Sequence, residues 1–106
     1  MTSDYQAIRD LLQANYLVFR ALGDKQRQEV LFHLSESPNI TVGELTAMMT
    51  LSRPAVSHHI KVLKQAGLLS EQKRGVRMYY SPRLKPSLGA MKQLSSHVSA
   101  IESEII

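Results

Sequence analysis

The segment Leu51–Ser81 constrains the fold of this chain more than any other, and it reads LSRPAVSHHIKVLKQAGLLSEQKRGVRMYYS. Ser52 can cap the start of a helix, Pro54 suits the first helical turn, and Gly67 is typical of the position just past a helix end. These signals predict a helix over 53–66 with sharp ends. Its apolar residues recur at helical spacing, so one side can face a core while the other stays in solvent. The predicted solvent side carries polar and basic side chains: Arg53, Ser57, His58, Lys61 and Lys64.

A short basic hairpin is predicted directly after this helix. Leu69–Lys73 and Val76–Ser81 read as two strands joined at Arg74-Gly75. A rigid helix with a basic, hydrogen-bonding outer face, next to a basic hairpin, suits a groove of duplex nucleic acid and its flanking phosphates.

The distribution of charge along the chain favours the same interpretation. Residues 53–85 contain eight basic side chains and one acidic one, a net charge of +7. Residues 1–52 carry a net charge of −2, and residues 86–106 a net charge of −1. Scattered lysines and arginines often only keep a small protein soluble, but a positive field this concentrated favours a polyanionic partner.

Capping residues and periodicity predict three helices before this unit. The first covers about 4–20, the second about 24–35, and a third, short helix opens at Thr41. Because Thr50-Leu51 forms a tight link between the third helix and the next, 41–66 is predicted to be a helix-turn-helix whose second helix reads DNA.

A last helix is predicted over about 87–104, after a brief non-helical passage bracketed by Pro82 and Pro86. Its apolar residues recur in steps of three and four, which is nearly a heptad seam. Such a stripe can cover its own domain, or it can pair with a second copy of the chain. Because the first helix also has a broad apolar face, we favour a homodimer built from 1–20 and 87–106. The predicted interface positions are Tyr5, Ile8, Leu12, Leu88, Met91, Leu94, Val98, Ile101 and Ile105.

Size and composition favour one domain over residues 1–106. No apolar run approaches the roughly 18 residues needed to span a bilayer. The first residues, MTSDYQ, lack the features of a secretory signal, so we expect a cytoplasmic protein without membrane contact. The chain has no cysteine, which excludes disulfides, thiolate metal sites and thiol switches.

With these elements placed, the order is helix, helix, helix-turn-helix, hairpin, helix, and it resembles the winged helix-turn-helix repressors of the ArsR/SmtB family. FRALGDKQRQEVLFHL resembles the family's second-helix stretch, LSRPAVSHHIKVLKQAGLL its recognition helix, and KRGVRMYYS its wing. The resemblance covers roughly residues 18–81. It implies a mainly α fold of about five helices with a two-stranded hairpin wing over 69–81, dimerising through the terminal helices.

The resemblance also implies where this chain meets DNA. Arg53 can reach guanine O6 and N7 or a phosphate, and Ser57 is short enough to approach base edges closely. The family often has a polar residue where this chain has Pro54, so direct base readout is expected to be narrower here. The predicted DNA-binding set is Ser52, Arg53, Pro54, Ser57, His58, Lys61 and Lys64 in the helix, with Lys73, Arg74 and Arg77 in the wing.

The two adjacent histidines are expected to differ in role. Neighbouring side chains on a helix point about 100° apart, so His58 and His59 cannot chelate one ion together. We expect His58 to face the groove as a hydrogen-bonding contact and His59 to pack at an edge of the helix.

Family members commonly sense metals, but the matching positions here do not fit. One family site places cysteines where this chain has Thr41 and Gly43, and another begins with an Asp-x-His pair where this chain has the basic stretch 83–85. His97 lacks a ligand three residues later. We therefore expect no metal and no other cofactor, although a site built from His33, His97 and carboxylates stays open.

Three classes of function can be weighed from the sequence. The leading interpretation is a dimeric transcription repressor on a palindromic operator in double-stranded DNA. The alternative is a winged-helix module for protein–protein contact, whose basic face docks an acidic partner. We expect no enzyme, because there is no nucleophile–base arrangement, glycine-rich phosphate loop or paired carboxylates in an apolar setting. The sequence leaves the operator, the target genes and the sign of regulation open, and the effector could be a small molecule, a partner protein or none.

Overall fold

The computed structural model describes residues 3–105, and the side chains of residues 3–103. Within these residues the chain forms six helices and one two-stranded antiparallel sheet. The elements in chain order are α1 (Asp4–Ala14), α2 (Tyr16–Leu22), α3 (Lys25–Glu36), α4 (Val42–Met48), α5 (Arg53–Gln65), β1 (Leu69–Arg74), β2 (Arg77–Pro82) and α6 (Lys85–Ile105). The winged helix-turn-helix fold expected from the sequence is confirmed.

The prediction of one continuous first helix over 4–20 is wrong. The helix is interrupted at Asn15, whose backbone lies outside the helical region at φ −113° and ψ 20°. The Asn15 side-chain Nδ2 and its backbone N–H both donate to the Leu11 carbonyl, at 2.8 and 3.1 Å. Asparagine competes in this way with the regular helix ladder. The chain therefore restarts as α2, which ends at Leu22.

Three helices begin at the capping residues that the sequence predicts for them. Asp24 accepts a hydrogen bond from the Arg27 backbone N–H at 3.0 Å, and Ser52 accepts one from the Ala55 N–H at 3.3 Å. At α4 a complete capping box forms between Thr41 and Glu44, three residues later. Side-chain oxygens at these positions satisfy N–H groups that have no partner inside the helix.

One apolar core is formed by helices α2, α3, α4 and α5 together with the start of the hairpin. Leu45, Leu63 and Leu68 are almost fully buried at its centre. The complete buried cluster is Ala21, Val30, Leu31, Leu34, Leu45, Val56, Ile60, Leu63, Leu68 and Leu69. We call this compact part, residues 16–82, the head.

The hairpin turn lies one residue later than predicted. Gly75 and Val76 form the turn, and Gly75 adopts φ +63°, which glycine tolerates at the first central position of a tight hairpin. The register pairs Arg74 directly with Arg77.

The last helix begins at Lys85, two residues before the predicted start, so Pro86 lies inside its first turn rather than outside the helix. Proline is tolerated there because the first turn leaves N–H groups unpaired anyway. The Arg83 backbone N–H donates to the Leu68 carbonyl at 2.7 Å and ties the entry of α6 to the head.

Helices α1 and α6 pack against each other within one chain, and together we call them the arm. A hydrogen bond between His97 Nδ1 and Asp4 Oδ1, at 2.7 Å, joins them. No residue of α1 is buried, and the molecule is long and narrow, with extents of 53 × 26 × 21 Å. The arm thus leaves much of its apolar surface uncovered.

The predicted dimer-interface positions fall into two groups. Tyr5, Leu12, Leu88 and Val98 are exposed, whereas Ile8, Met91, Leu94 and Ile101 are half-buried. The side chain of Ile105 lies outside the described residues. Part of the apolar stripe therefore covers its own chain, and part stays free.

Candidate nucleic-acid interface

The outer face of α5 carries the side chains that the sequence assigned to it. Val56, Ile60 and Leu63 are buried on the inner side. Positions i, i+4 and i+7 lie on one side of a helix, so their burial fixes which residues point outward. The residues predicted to contact DNA from this helix are all exposed: Ser52, Arg53, Pro54, Ser57, His58, Lys61 and Lys64.

Lys64 differs from the other cations of this face because it already has a partner. Its ammonium lies 3.2 Å from Glu71 Oε1 on the neighbouring strand, and the Tyr80 hydroxyl reaches the same oxygen at 3.4 Å. Both charged groups are well exposed, so the pair adds little stability. The carboxylate nevertheless offsets part of the charge that Lys64 offers to a phosphate.

The two faces of the wing are not equivalent. Since side chains alternate along a strand, the pairs Arg74–Arg77 and Gln72–Tyr79 share one face, and Lys73 lies on the other. The Arg74 guanidinium lies over the Tyr79 ring, 4.7 Å from its centroid. Like charges directly opposite each other destabilise a sheet unless an external anion offsets them. The Arg74–Arg77 pair is therefore suited to a polyanion.

A polar cleft of about 550 Å³ brings residues from three elements together. It is lined by Arg53 from α5, Arg77 from β2, and Thr41, Gly43 and Glu44 from the start of α4. The sequence separates the two arginines by 24 positions, and only the fold shows that one bound phosphate group can be close to both. Sequence reasoning also missed that α4 contributes to this site.

Glu44 lies in this cleft but is held by its own helix start. The Thr41 backbone N–H and hydroxyl donate to Glu44 Oε1 at 3.1 and 3.0 Å. These bonds, together with a smaller attraction from Arg77, hold the pKa of the Glu44 carboxyl below its usual value. The carboxylate thus stays charged and engaged by its own helix start, and among the described residues no arginine lies within 4 Å of it.

The two histidines of α5 occupy different surroundings. His58 is exposed, while His59 is half-buried with its Nδ1 3.4 Å from Arg27 Nη1. Burial lowers the pKa of His59, and the nearby charges of Arg27 and His58 lower it further against an opposing effect of Asp24. The prediction that His59 packs at the helix edge agrees with this position.

Arg27 is a functional candidate that the sequence did not reveal. Its guanidinium donates to the carbonyls of Ala21 and Arg20, at 2.8 and 3.1 Å, besides approaching His59. It therefore links the end of α2 to the middle of α5. No local signal predicts this, because the partners lie six, seven and 32 residues away.

The remaining histidines do not converge. His97 bonds to Asp4, while His33 lies in a separate pocket of about 170 Å³ beside Glu29 and Met48. Among the described side chains, no three histidine, aspartate or glutamate residues lie close enough to hold one metal ion. None of the helices in residues 3–105 is long and apolar enough to cross a membrane.

A two-helix motif with an exposed cationic second helix and a basic antiparallel hairpin defines a winged helix-turn-helix protein. The comparisons with known proteins agree. Residues 24–71 match the family model described as bacterial regulatory protein, arsR family. A solved ArsR-like transcriptional regulator from Rhodococcus sp. RHA1 has the same fold, with a TM-score of 0.74 and 23% identity over 85% of this chain and 84% of that one.

Two curated relatives give direct sequence evidence for the family of this chain. The transcriptional repressor SdpR of Bacillus subtilis is 36% identical over 64 residues, which are 60% of this chain and 70% of that protein. The arsenical resistance operon repressor of the same species is 30% identical over 71 residues, 67% of this chain and 68% of that protein. The chain belongs to the ArsR family of winged-helix transcriptional regulators, and the family resemblance seen in the sequence is confirmed.

The buried position of His59 predicts how stability changes with pH. Its pKa in the folded protein lies below the unfolded value of about 6.5, so the unfolded state takes up the proton first as pH falls. This group's contribution to stability is present at about pH 7 and is lost as pH drops through about 6.5 towards the folded pKa.

We expect His59→Gln to reduce the fall in Tm between about pH 7 and pH 5. Equal slopes for wild type and His59→Gln would contradict this account.

Proposed function

We propose that this protein is a transcriptional repressor that binds a two-fold symmetric operator as a homodimer. In this proposal α5 enters the major groove and the wing lies against the flanking backbone. Residues 41–66 act as the helix-turn-helix, 69–81 as the wing, and 1–20 with 87–106 as the dimerisation helices of one domain.

One observation carries the DNA-binding part of the proposal. Arg53 and Arg77 line one cleft, and Arg74 stands directly opposite Arg77 on the wing. Among the described residues, no carboxylate lies within 4 Å of these three exposed guanidinium groups, and Glu44, the nearby acid, is engaged by Thr41. A phosphate backbone would supply the missing negative charge, and guanidinium groups suit phosphate oxygens and guanine edges.

The other predicted contacts divide by chemistry. Ser57 and His58 are exposed in the middle of α5, where short or planar polar side chains can reach base edges. Among the described residues, the ammonium groups of Lys61 and Lys73 have no carboxylate within 4 Å. Both groups are therefore available to phosphate oxygens. Ser52 and Pro54 shape the helix start, and through it they set how closely α5 approaches the groove.

The arm supports the homodimer. Its exposed apolar residues, Tyr5, Leu12, Leu88 and Val98, lie on the two terminal helices, away from the cationic face of α5. Contact with a second copy would bury that surface, which stabilises the dimer by roughly 25 cal/mol for each Å² of apolar surface removed from water. Symmetry would then place two recognition helices on one side of the dimer, as a palindromic site requires.

The proposal does not include a metal sensor. The matching family positions hold Thr41 and Gly43, which supply no soft ligand, and the only histidine of the last helix is engaged by Asp4. If the regulator has a signal, it is therefore expected to be something other than a thiolate- or imidazole-bound metal ion.

Arginine variants separate base readout from phosphate attraction. We expect Arg53→Ala to cost about 1–3 kcal/mol on the operator and less on random duplex, because a bidentate base contact is specific. Arg74→Ala and Arg77→Ala should weaken both duplexes alike and reduce the slope of log K against log salt. Fluorescence anisotropy over a salt series measures both quantities, with the gene's own upstream region and a shuffled duplex as probes.

The matched control for these variants is Arg9→Ala, which removes an exposed arginine of α1 away from the interface. It should leave affinity and salt slope unchanged. If no variant alters retention of either duplex, and the salt slope is flat in wild type, the protein-contact alternative replaces the DNA-binding proposal.

A charge placed on the arm tests the dimer. Val98→Glu puts a carboxylate on the exposed apolar face of α6, and burying it without a partner is costly. We expect sedimentation velocity to show a dimer for wild type and a monomer for Val98→Glu. Ser96→Glu, an exposed polar position on the opposite side of α6, should stay dimeric. If Val98→Glu is still a dimer, the interface lies elsewhere.

A further inference from the structure

A cavity of about 480 Å³ lies where the arm joins the head. Two of its lining residues, Leu88 and Met91, are also predicted dimer-interface positions. Its walls are almost entirely apolar. From the head it is lined by Leu31, Phe32 and Leu68, and from the entry of the arm by Leu84, Leu88 and Met91. Three of these side chains are large and partly exposed: Phe32 at 56%, Leu88 at 49% and Leu84 at 45%.

We propose that this cavity binds a small amphipathic molecule with an apolar body and one anionic group, such as a medium-chain carboxylate. The volume falls within the range of about 300–1,000 Å³ that is typical of small-molecule sites. Such sites combine apolar walls with a few polar groups that fix the orientation of the ligand. Here the polar group is Lys85.

Lys85 lines the cavity, and among the described residues its ammonium has no carboxylate within 4 Å. It is the first residue of α6, so an anion beside it would also lie at the helix end where the macrodipole favours negative charge. Of the other three polar lining residues, Ser87 is buried, and Gln28 and Ser35 are engaged within the chain. Gln28 Nε2 donates to the Leu22 carbonyl at 2.7 Å, and Ser35 Oγ donates to the Leu31 carbonyl at 2.7 Å.

The lining also argues against a peptide segment as the occupant. An extended segment brings N–H and C=O groups that must find partners once they leave water. The cavity walls offer almost none, whereas an alkyl or aryl body needs none. A single anionic head group at the mouth matches the one unpaired cation.

The position of the cavity suggests a regulatory consequence, which rests on the proposed function. Leu68 lies in the short link between α5 and β1, and its carbonyl accepts the hydrogen bond from Arg83 at the entry of α6. A ligand between Phe32 and Met91 would therefore act on the angle between arm and head. In a dimer that angle sets the separation of the two recognition helices.

Binding is tested on the purified full chain with 1-anilinonaphthalene-8-sulfonate, a fluorescent aromatic body with one sulfonate. We expect saturable binding of one dye per chain, displaced by decanoate and only weakly by decanol. Lys85→Gln should lower the affinity for the dye by about fivefold, the amount expected from the loss of one partly exposed charge pair. Lys92→Gln, an exposed lysine of the same helix outside the cavity, is the matched control and should bind as wild type.

A second variant fills the space instead of changing the charge. Ser35→Phe projects a ring from an exposed position of the cavity wall and should abolish dye binding without disturbing the core. Unsaturable binding, or binding that neither Ser35→Phe nor Lys85→Gln alters, overturns the proposal. Dye binding by monomeric Val98→Glu but not by the wild-type dimer also overturns it, because a second copy would then fill the cavity.

These measurements contain no DNA, so they stand if the proposed function fails. The regulatory consequence is tested separately by adding decanoate to the wild-type and Ser35→Phe complexes with duplex. A shift in DNA affinity for wild type alone supports it. Equal affinity with and without decanoate refutes the regulation and leaves the binding site in place.

Discussion

The packing of three side chains on one side of α5 determines most of what this protein can do. Val56, Ile60 and Leu63 are buried against the core and fix the rotation of the helix about its axis. With that rotation fixed, Arg53 and Ser57 must face solvent. Burial of aliphatic side chains is non-directional, but at helical spacing it sets the direction of every other side chain on the helix. The basic surface is thus a consequence of the core.

The chain presents two surfaces of opposite character. The cationic surface lies on α5 and the wing, while six of the ten exposed large apolar residues among those described lie on the first two helices and the last. Those residues are Tyr5, Leu12, Tyr16, Leu17, Leu88 and Val98. A polyanion suits one surface and an apolar partner the other, and the cavity beside Lys85 lies between them. Signals at the arm could therefore reach the DNA face through the head without any contact to DNA.

Local chemistry explains which parts of the fold could be predicted from the sequence. The start of α5 depends on Ser52 and Pro54, and its end on Gly67, so a few adjacent residues decide both. The break at Asn15 was missed because the apolar period continues across it, and the sequence does not show that the Asn15 side chain bonds to the Leu11 carbonyl. The hairpin turn lies one residue later than predicted because Gly75, at φ +63°, occupies the first central position of the turn, which places Arg74 at the end of the strand.

The parts of the site that depend on long-range contacts could not be predicted. Asp4 meets His97 across 93 positions, and Arg27 meets His59 across 32. Each pair requires knowing how two helices lie against each other, which no spacing in the sequence encodes. The cleft shared by Arg53 and Arg77 is of the same kind. The exposure of the outer residues of α5 could be predicted from the sequence, but their grouping with residues of other elements could not.

The distance between the two recognition helices of the assembled protein tests the central claim most directly. Because the chain has no cysteine, Gln65→Cys, at an exposed position of α5 outside the proposed DNA contacts, provides a single site for a nitroxide spin label. Pulsed electron–electron double resonance on the duplex-bound protein should give one distance near 34 Å, the length of one turn of DNA. Absence of a dipolar signal, or a distance incompatible with successive major grooves, would contradict a dimeric operator-binding protein.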